Sequence, residues 1–304
     1  MFKVADELGG TYSTLREGNG DARFDAKDLV FGRPEQAALG VEYYMCIDDD
    51  DLRTRMNDGL EAIRAEVAAN GTDVDKECLA YVLDQEAGTS DEAFQGGLKR
   101  DCDAKGNVLP ERRGKKFADF VADPNAQGAK LQPPHVAALR FYTTAGFRTI
   151  NNDLRDQARQ KAGKQHPFPV MVAFANEALK RLRAVGAASK QSNDKVVLYR
   201  GMKGMKVASM KDFMEKGGTE LAPMSTTSSL KIAMEYAASE HSLLMRLITS
   251  SFMARGPDIS FLSAFPAEKE FLFPPLTYLK PTGEPQELRV DDATFTVIDV
   301  EPQQ

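Results

Sequence analysis

The chain has 304 residues, 42% hydrophobic and 28% charged, with a formal net charge of −6. Such a composition reads as soluble and globular, and the length allows one large domain or two ordinary ones. It excludes several classes: no apolar run reaches membrane-span length, and the start lacks the basic-then-apolar order of a secretory leader.

Cys46, Cys78 and Cys102 are an odd number without metal-ligand spacing. His135, His166 and His241 lack the spacing of a zinc helix, and no phosphate-cradling glycine loop or Rossmann fingerprint is present. No metal is therefore expected. Charge is uneven, with 17 basic against 27 acidic residues in 1–130 and 22 against 18 in the rest. The asymmetry suggests two units, neither basic enough for nucleic acid.

Residues 1–47 mix turn signals (Gly9-Gly10, Gly18-Asn19-Gly20) with short apolar pieces. Asp48 to Asp51 precede Leu52, Met56, Leu60, Ile63 and Val67, whose spacing predicts one helix ending near Asn70-Gly71. The aspartates favour the positive end of that helix; consecutive residues do not converge like calcium-loop ligands. Val74 to Gln85 predicts a second helix with Cys78, Leu79 and Val82 inward, and Ser90-Asp91-Glu92 starts a third. Residues 103–132 read as a linker or surface excursion, with Arg112 to Lys116 a solvated basic patch.

Pro133-Pro134 open a helix from His135 that buries Val136, Leu139 and Tyr142. Val170 to Val185 is another, with Val172, Leu179 and Leu182 inward. After Gly186 the pattern becomes strand-like. Val196 to Gly201 ends in Tyr199-Arg200-Gly201, and Pro223 to Ser229 is a short polar strand or turn. Ser228 or Ser229 caps a helix from Leu230 to Ala238. Leu243–Ile248, Ile259–Leu262, Leu276–Leu279 and Ala293–Val300 are further strands. If Glu268 to Phe273 is a strand too, Glu268 and Glu270 share a face. Side-by-side like charges persist more readily where a ligand or cation uses them.

Three signals stand in order: Tyr199-Arg200-Gly201, Ser225-Thr226-Thr227 and Glu268-Lys269-Glu270. Singly, each reads as an ordinary salt bridge, turn or solvent-facing pair. Together they resemble the arginine-serine-glutamate branch of the mono-ADP-ribosyltransferases, which includes cholera-toxin-like toxins and vertebrate ecto-transferases. His135 to Thr144, with Asn151 and Arg155, resembles the helical segment preceding the arginine strand in eukaryotic members. The likeness covers about residues 131–301; Ser-Thr-Thr stands where many members have Ser-Thr-Ser.

The resemblance implies an α+β ADP-ribosyltransferase fold. In it, two packed, mainly antiparallel sheets form an NAD cleft behind a helical lobe. Residues 126–304 would be the catalytic domain (lobe 131–186, β core 195–301), and residues 1–125 a mainly helical domain of unknown role. It implies NAD as co-substrate and transfer of ADP-ribose to an arginine of a protein, with nicotinamide leaving. No nucleic acid or membrane partner is implied, and the place of action is the cytoplasm or a cell into which the protein is delivered. Glu270 would stabilise positive charge on the ribose, as in glycoside cleavage. Glu268 would orient and deprotonate the guanidinium, and Arg200 would bind the NAD phosphates. The Gly201 backbone would hold the nicotinamide amide, Ser225 would position Glu270, and Thr226 would belong to the NAD site. Ser260 to Ala267 would be the acceptor loop, with Phe261 and Phe265 either its aromatic contacts or core residues. The alternatives are an NAD glycohydrolase and a catalytically inactive fold kept as a binding module.

Overall fold

A computed structural model describes residues 27–29, 31–89, 99–186, 195–237, 241–251, 254–290 and 293–303. The glycine turns before residue 21 and the helix expected from Ser90 lie outside them. The helices up to the β core are α1 (Val41–Met45), α2 (Asp49–Met56), α3 (Leu60–Asn70), α4 (Asp73–Asp84), α5 (Phe117–Val121), α6 (Pro124–Gly128), α7 (Pro133–Tyr142), α8 (Phe147–Arg155), α9 (Gln157–Lys161) and α10 (Pro169–Gly186).

Asp48 caps α2, its carboxylate accepting from the Asp50 and Asp51 amides at 2.9 and 3.3 Å, so the aspartate run is a helix start. The expected single helix over Leu52–Asn70 is two. Asn57-Asp58-Gly59 interrupts it, with Gly59 at φ +57°, where a side chain is disfavoured. Cys78, Leu79 and Val82 face inward on α4, as their spacing predicts.

Helix α7 is buried on all sides from Pro134 to Tyr142, not on one stripe. It is enclosed by α3, α4, α5, α8 and α10. Tyr44, Ile63, Val82, Phe120 and Phe141 belong to one apolar cluster with Phe168 and Leu179, so helices from both ends of the first 186 residues share a core. Within it Glu66 accepts from the Val170 and Met171 amides at 2.8 and 3.1 Å, closing the start of α10. Residues 103–132 are not a surface excursion: they supply α5 and α6, and Arg112 is buried.

The strands are β1 (Lys27–Leu29), β2 (Val196–Lys203), β3 (Met205–Val207), β4 (Gly218–Glu220), β5 (Met224–Thr227), β6 (His241–Thr249), β7 (Glu270–Phe273), β8 (Thr277–Pro281), β9 (Gln286–Val290) and β10 (Ala293–Gln303). Helix α11 (Met210–Lys216) lies between β3 and β4, and α12 (Leu230–Ala237) follows β5. The main sheet runs β4-β8-β10-β6-β2-β5-β7, with β9 beside β10. Within it only β6–β10 is parallel. The α+β class holds; the main sheet is open and mixed, and β5 joins β2 through one register pair, Tyr199 with Thr227. Ile259–Leu262 is a turn rather than a strand, closed by the Leu262 and Ser263 amides on the Ile259 carbonyl.

Candidate active site

Beside the junction of β2 and β5, a cleft of about 880 Å3, counting its open mouth, is lined by Arg200, Gly201, Ser225, Thr226, Phe265, Glu268 and Glu270. Residues 70 positions apart in the chain thus meet in one place.

Arg200 stands on β2, 7% exposed. Its Nη1 donates to the Ser225 carbonyl at 3.0 Å, and its Nη2 lies 4.0 Å from Glu220 Oε2. Glu220, on the edge strand β4, accepts from Arg155 Nε at 2.8 Å and from the Ala222 amide at 3.1 Å. Burial raises its carboxyl, but Arg155 and then Arg200 outweigh that, and the net direction is down. Glu220 thus stays ionised beneath Arg200.

Strand β5 holds the acids. Thr226 pairs with Phe271 and Thr227 with Glu270. The Thr226 hydroxyl donates to the Phe271 carbonyl and the Thr227 hydroxyl to the Glu268 carbonyl, each at 2.8 Å. Glu268 itself is not in the strand. It ends a 3-10 turn, Pro266–Glu268, and Lys269 follows at φ +50°. Both acids still face the cleft, through a reversal rather than strand alternation. Glu270 is 4% exposed, and its side chain is hydrogen-bonded by Ser225. Burial, the neighbouring Glu268 and then Asp258 push it up to about 8 against the Ser225 hydrogen bond. Burial lifts Glu268 to about 7, opposed by the Tyr236 hydroxyl, which donates to Glu268 Oε1. Near neutral pH both acids are partly protonated, and a cation arriving beside them would draw both toward ionisation.

Sequence reasoning missed Tyr236. Ile232, Ala233 and Tyr236 line the cleft with helical spacing from α12, a periodicity present in the sequence. Tyr142 and Asn151, expected as core and as part of the helical segment, also line it. Asn151 Nδ2 donates to the Tyr142 hydroxyl at 3.1 Å, and Asn151 Oδ1 is buried without a hydrogen-bond partner. Such an orphaned acceptor suits a ligand bearing an amide or hydroxyl donor. Phe265 is in the cleft, whereas Phe261 lies on the far side of its loop beside Arg183 and Phe271.

At Gly201 the strand touches α12: a Cβ would lie 1.9 Å from the Ala233 carbonyl oxygen. Gly201→Ala is expected to displace α12 and lower stability by about 1–3 kcal/mol, as overpacking does. Denaturant unfolding reads this; an unchanged midpoint contradicts the contact.

Among the described residues no group of three His, Cys, Asp or Glu side chains is placed to hold a metal, and no helix is long and apolar enough to cross a membrane.

The sequence model of the family described as NAD:arginine ADP-ribosyltransferase matches residues 85–293, more than half of the chain, and the chain belongs to that family. It is an ADP-ribosyltransferase with NAD as co-substrate. No protein of curated function matches it by sequence. Similar solved structures include Plx2a, an ADP-ribosyltransferase toxin from Paenibacillus larvae (14% identity, 62% of this chain and 94% of that one, TM-score 0.44). Another is the ADP-ribosyltransferase HopU1 of Pseudomonas syringae (17% identity, 75% and 98%, TM-score 0.45). A third is exoenzyme S from Pseudomonas aeruginosa in complex with human 14-3-3 protein beta and bound to carba-NAD (17% identity, 60% and 80%, TM-score 0.40).

Proposed function

We propose that the protein transfers ADP-ribose from NAD to an arginine side chain of a protein, with residues 126–304 carrying the chemistry. The observation that carries this reading is the pair Glu268 and Glu270 facing one cleft with Arg200 and Ser225. Arg200, whose fork of donors suits phosphate, holds the NAD diphosphate. Gly201 offers backbone groups to the nicotinamide amide, and Thr226 lines the same site. Ser225 keeps Glu270 in place.

As the bond from ribose C1′ to the nicotinamide nitrogen breaks, its electron pair leaves with neutral nicotinamide and positive charge grows on the ribose. The Glu270 carboxylate faces that charge. A guanidinium nitrogen then bonds to C1′ and its proton passes to Glu268. An enzyme using only water as acceptor would have no need of the second acid, which favours transfer over NAD hydrolysis.

Incubation with labelled NAD and a lysate, followed by mass spectrometry of the modified residues, tests the reading. ADP-ribosyl arginine is expected; label confined to another residue type would refute the arginine assignment, and label in no protein at all would refute transfer. Tyr236→Phe gives a second test. Its hydroxyl favours ionised Glu268, so its loss raises that carboxyl further. A hydrogen bond to a charged group is worth ~1.5–3 kcal/mol, so the acidic limb of the transfer pH profile should move up by about one to two units. An unmoved limb would disconnect Tyr236 from Glu268.

A further inference from the structure

The loop that leads into the acids, residues 259–265, is held by side chains to which the catalytic reading gives no task. Arg112 Nη2 donates to the Ser260 carbonyl at 2.6 Å, and Arg140 Nη1 to the Leu262 carbonyl at 2.9 Å. Both backbone groups of Ala264 are engaged. Its carbonyl accepts from the Asp101 amide at 2.8 Å, and its amide donates to the Thr143 hydroxyl at 2.9 Å. Ile259, Leu262, Ser263 and Ala264 are all buried in consequence.

The anchors form one enclosed cluster. Asp101, Arg112 and Arg140 are 0%, 3% and 2% exposed. Arg112 Nη1 lies 3.6 Å from Asp101 Oδ1. The Tyr81 hydroxyl donates to Asp101 at 2.7 Å and accepts from Arg140 Nη2 at 3.3 Å. The Arg140 guanidinium stacks 3.6 Å from the centre of the Phe120 ring, and Arg112 lies 5.1 Å from it. One buried carboxylate thus faces Arg112 directly and Arg140 through the Tyr81 hydroxyl. Burying a charge is costly unless it is paired, and here the loop carbonyls of Ser260 and Leu262 supply the missing negative ends. If the loop lifted, both arginines would lose those partners. The loop is therefore tied down by the same interactions that make the buried cations tolerable.

We infer that the Asp101–Arg112–Arg140 cluster is a positioning device for the acceptor: it fixes the loop carrying Phe265 toward Glu268, and so sets how well a protein side chain, rather than water, reaches the ribose. This rests on the transferase reading of the cleft. Water needs no docking surface, so its attack depends little on the loop, whereas a misplacement near 1 Å of a docked nucleophile costs up to about 100-fold. It also gives Arg112, within the basic run Arg112 to Lys116, a structural task distinct from the exposed Arg113 and Lys116.

The test compares Arg112→Met, which keeps the volume but removes the donors, with Arg112→Lys, which keeps the charge without the fork. Three quantities are read: NAD hydrolysis, label transferred to agmatine and to lysate protein, and amide hydrogen exchange across 259–265. In R112M, transfer should fall about 10- to 100-fold with hydrolysis within about 2-fold of wild type, and exchange should rise in the loop. R112K should lie between. Equal loss of both activities, or no loss of transfer, in folded protein overturns the inference. If R112M does not fold, the same split is sought in R112K. A wild-type enzyme that hydrolyses NAD but labels neither agmatine nor protein defeats the transferase reading instead. The cluster is then judged on exchange alone, where unchanged protection of 259–265 overturns it.

Discussion

Glu270→Gln is expected to reduce both ADP-ribose transfer and NAD hydrolysis by about 100- to 1,000-fold, the scale on which removing a group aimed at developing charge acts. Both reactions break the same bond, so both need the carboxylate that faces the ribose. Glutamine keeps the shape and the Ser225 contact but carries no charge. The raised carboxyl makes a second outcome follow. An acid with a pKa of about 8 in the folded protein and 4.5 when unfolded holds its proton more tightly folded. Its burial costs nothing below pH 4.5, and the penalty grows through the window from 4.5 to about 8 and is full above it. Glu270→Gln should therefore unfold like wild type at pH 5 and at a higher temperature than wild type at pH 9. An active site that destabilises its own fold is the usual trade of stability against activity. Retained hydrolysis in the variant would remove Glu270 from the chemistry; a variant less stable at pH 9 than at pH 5, relative to wild type, would contradict its burial as an acid.

Much of this site was legible because strand ends carry their own marks. The apolar run Val196 to Tyr199 announces a strand, and Arg200 lies within it as β2 continues to Lys203. The same reading reached Glu268 and Glu270 by a wrong route. Strand alternation would put them on one face, but Lys269 at φ +50° turns the chain between a 3-10 turn and β7. No local signal announces a left-handed lysine, whose amide donates to the Pro266 carbonyl while the Glu268 amide donates to that of Phe265. Arg112 is the converse case. Inside a Gly- and Lys-rich stretch it looks solvated, and its burial depends on partners the fold assembles, among them the Ser260 carbonyl 148 residues away. Strands β4 and β9 escaped because they are short, and β9 is exposed along its length, so neither leaves an apolar alternation. Tyr236 was visible as a helical neighbour of Ile232, but its partner depends on where the turn before β7 lands.

Glu268→Gln should separate the two reactions that Glu270→Gln lowers together. A guanidinium is protonated at neutral pH and must lose a proton as it bonds to the ribose. Glu268, lifted to about 7 and held by Tyr236, is suited to receive it. Glutamine at this position can still accept the Tyr236 hydrogen bond but cannot take the proton. Transfer to arginine should fall by about 100- to 10,000-fold, the range of general-base contributions. Hydrolysis should survive within about 10-fold, because Glu270 still faces the ribose and water loses its proton to solvent. The coupling of the two acids adds a directional check. The charge of Glu268 is one of the causes that raise Glu270, so removing it lowers the Glu270 pKa. The acidic limb of the remaining hydrolysis should consequently move to lower pH than in wild type, while in Tyr236→Phe the limb of transfer moves to higher pH. Opposite movements from two substitutions around one carboxylate are not produced by general loss of structure. Equal loss of both activities in Glu268→Gln, or a limb that stays in place, would mean that the second acid serves the first rather than the acceptor.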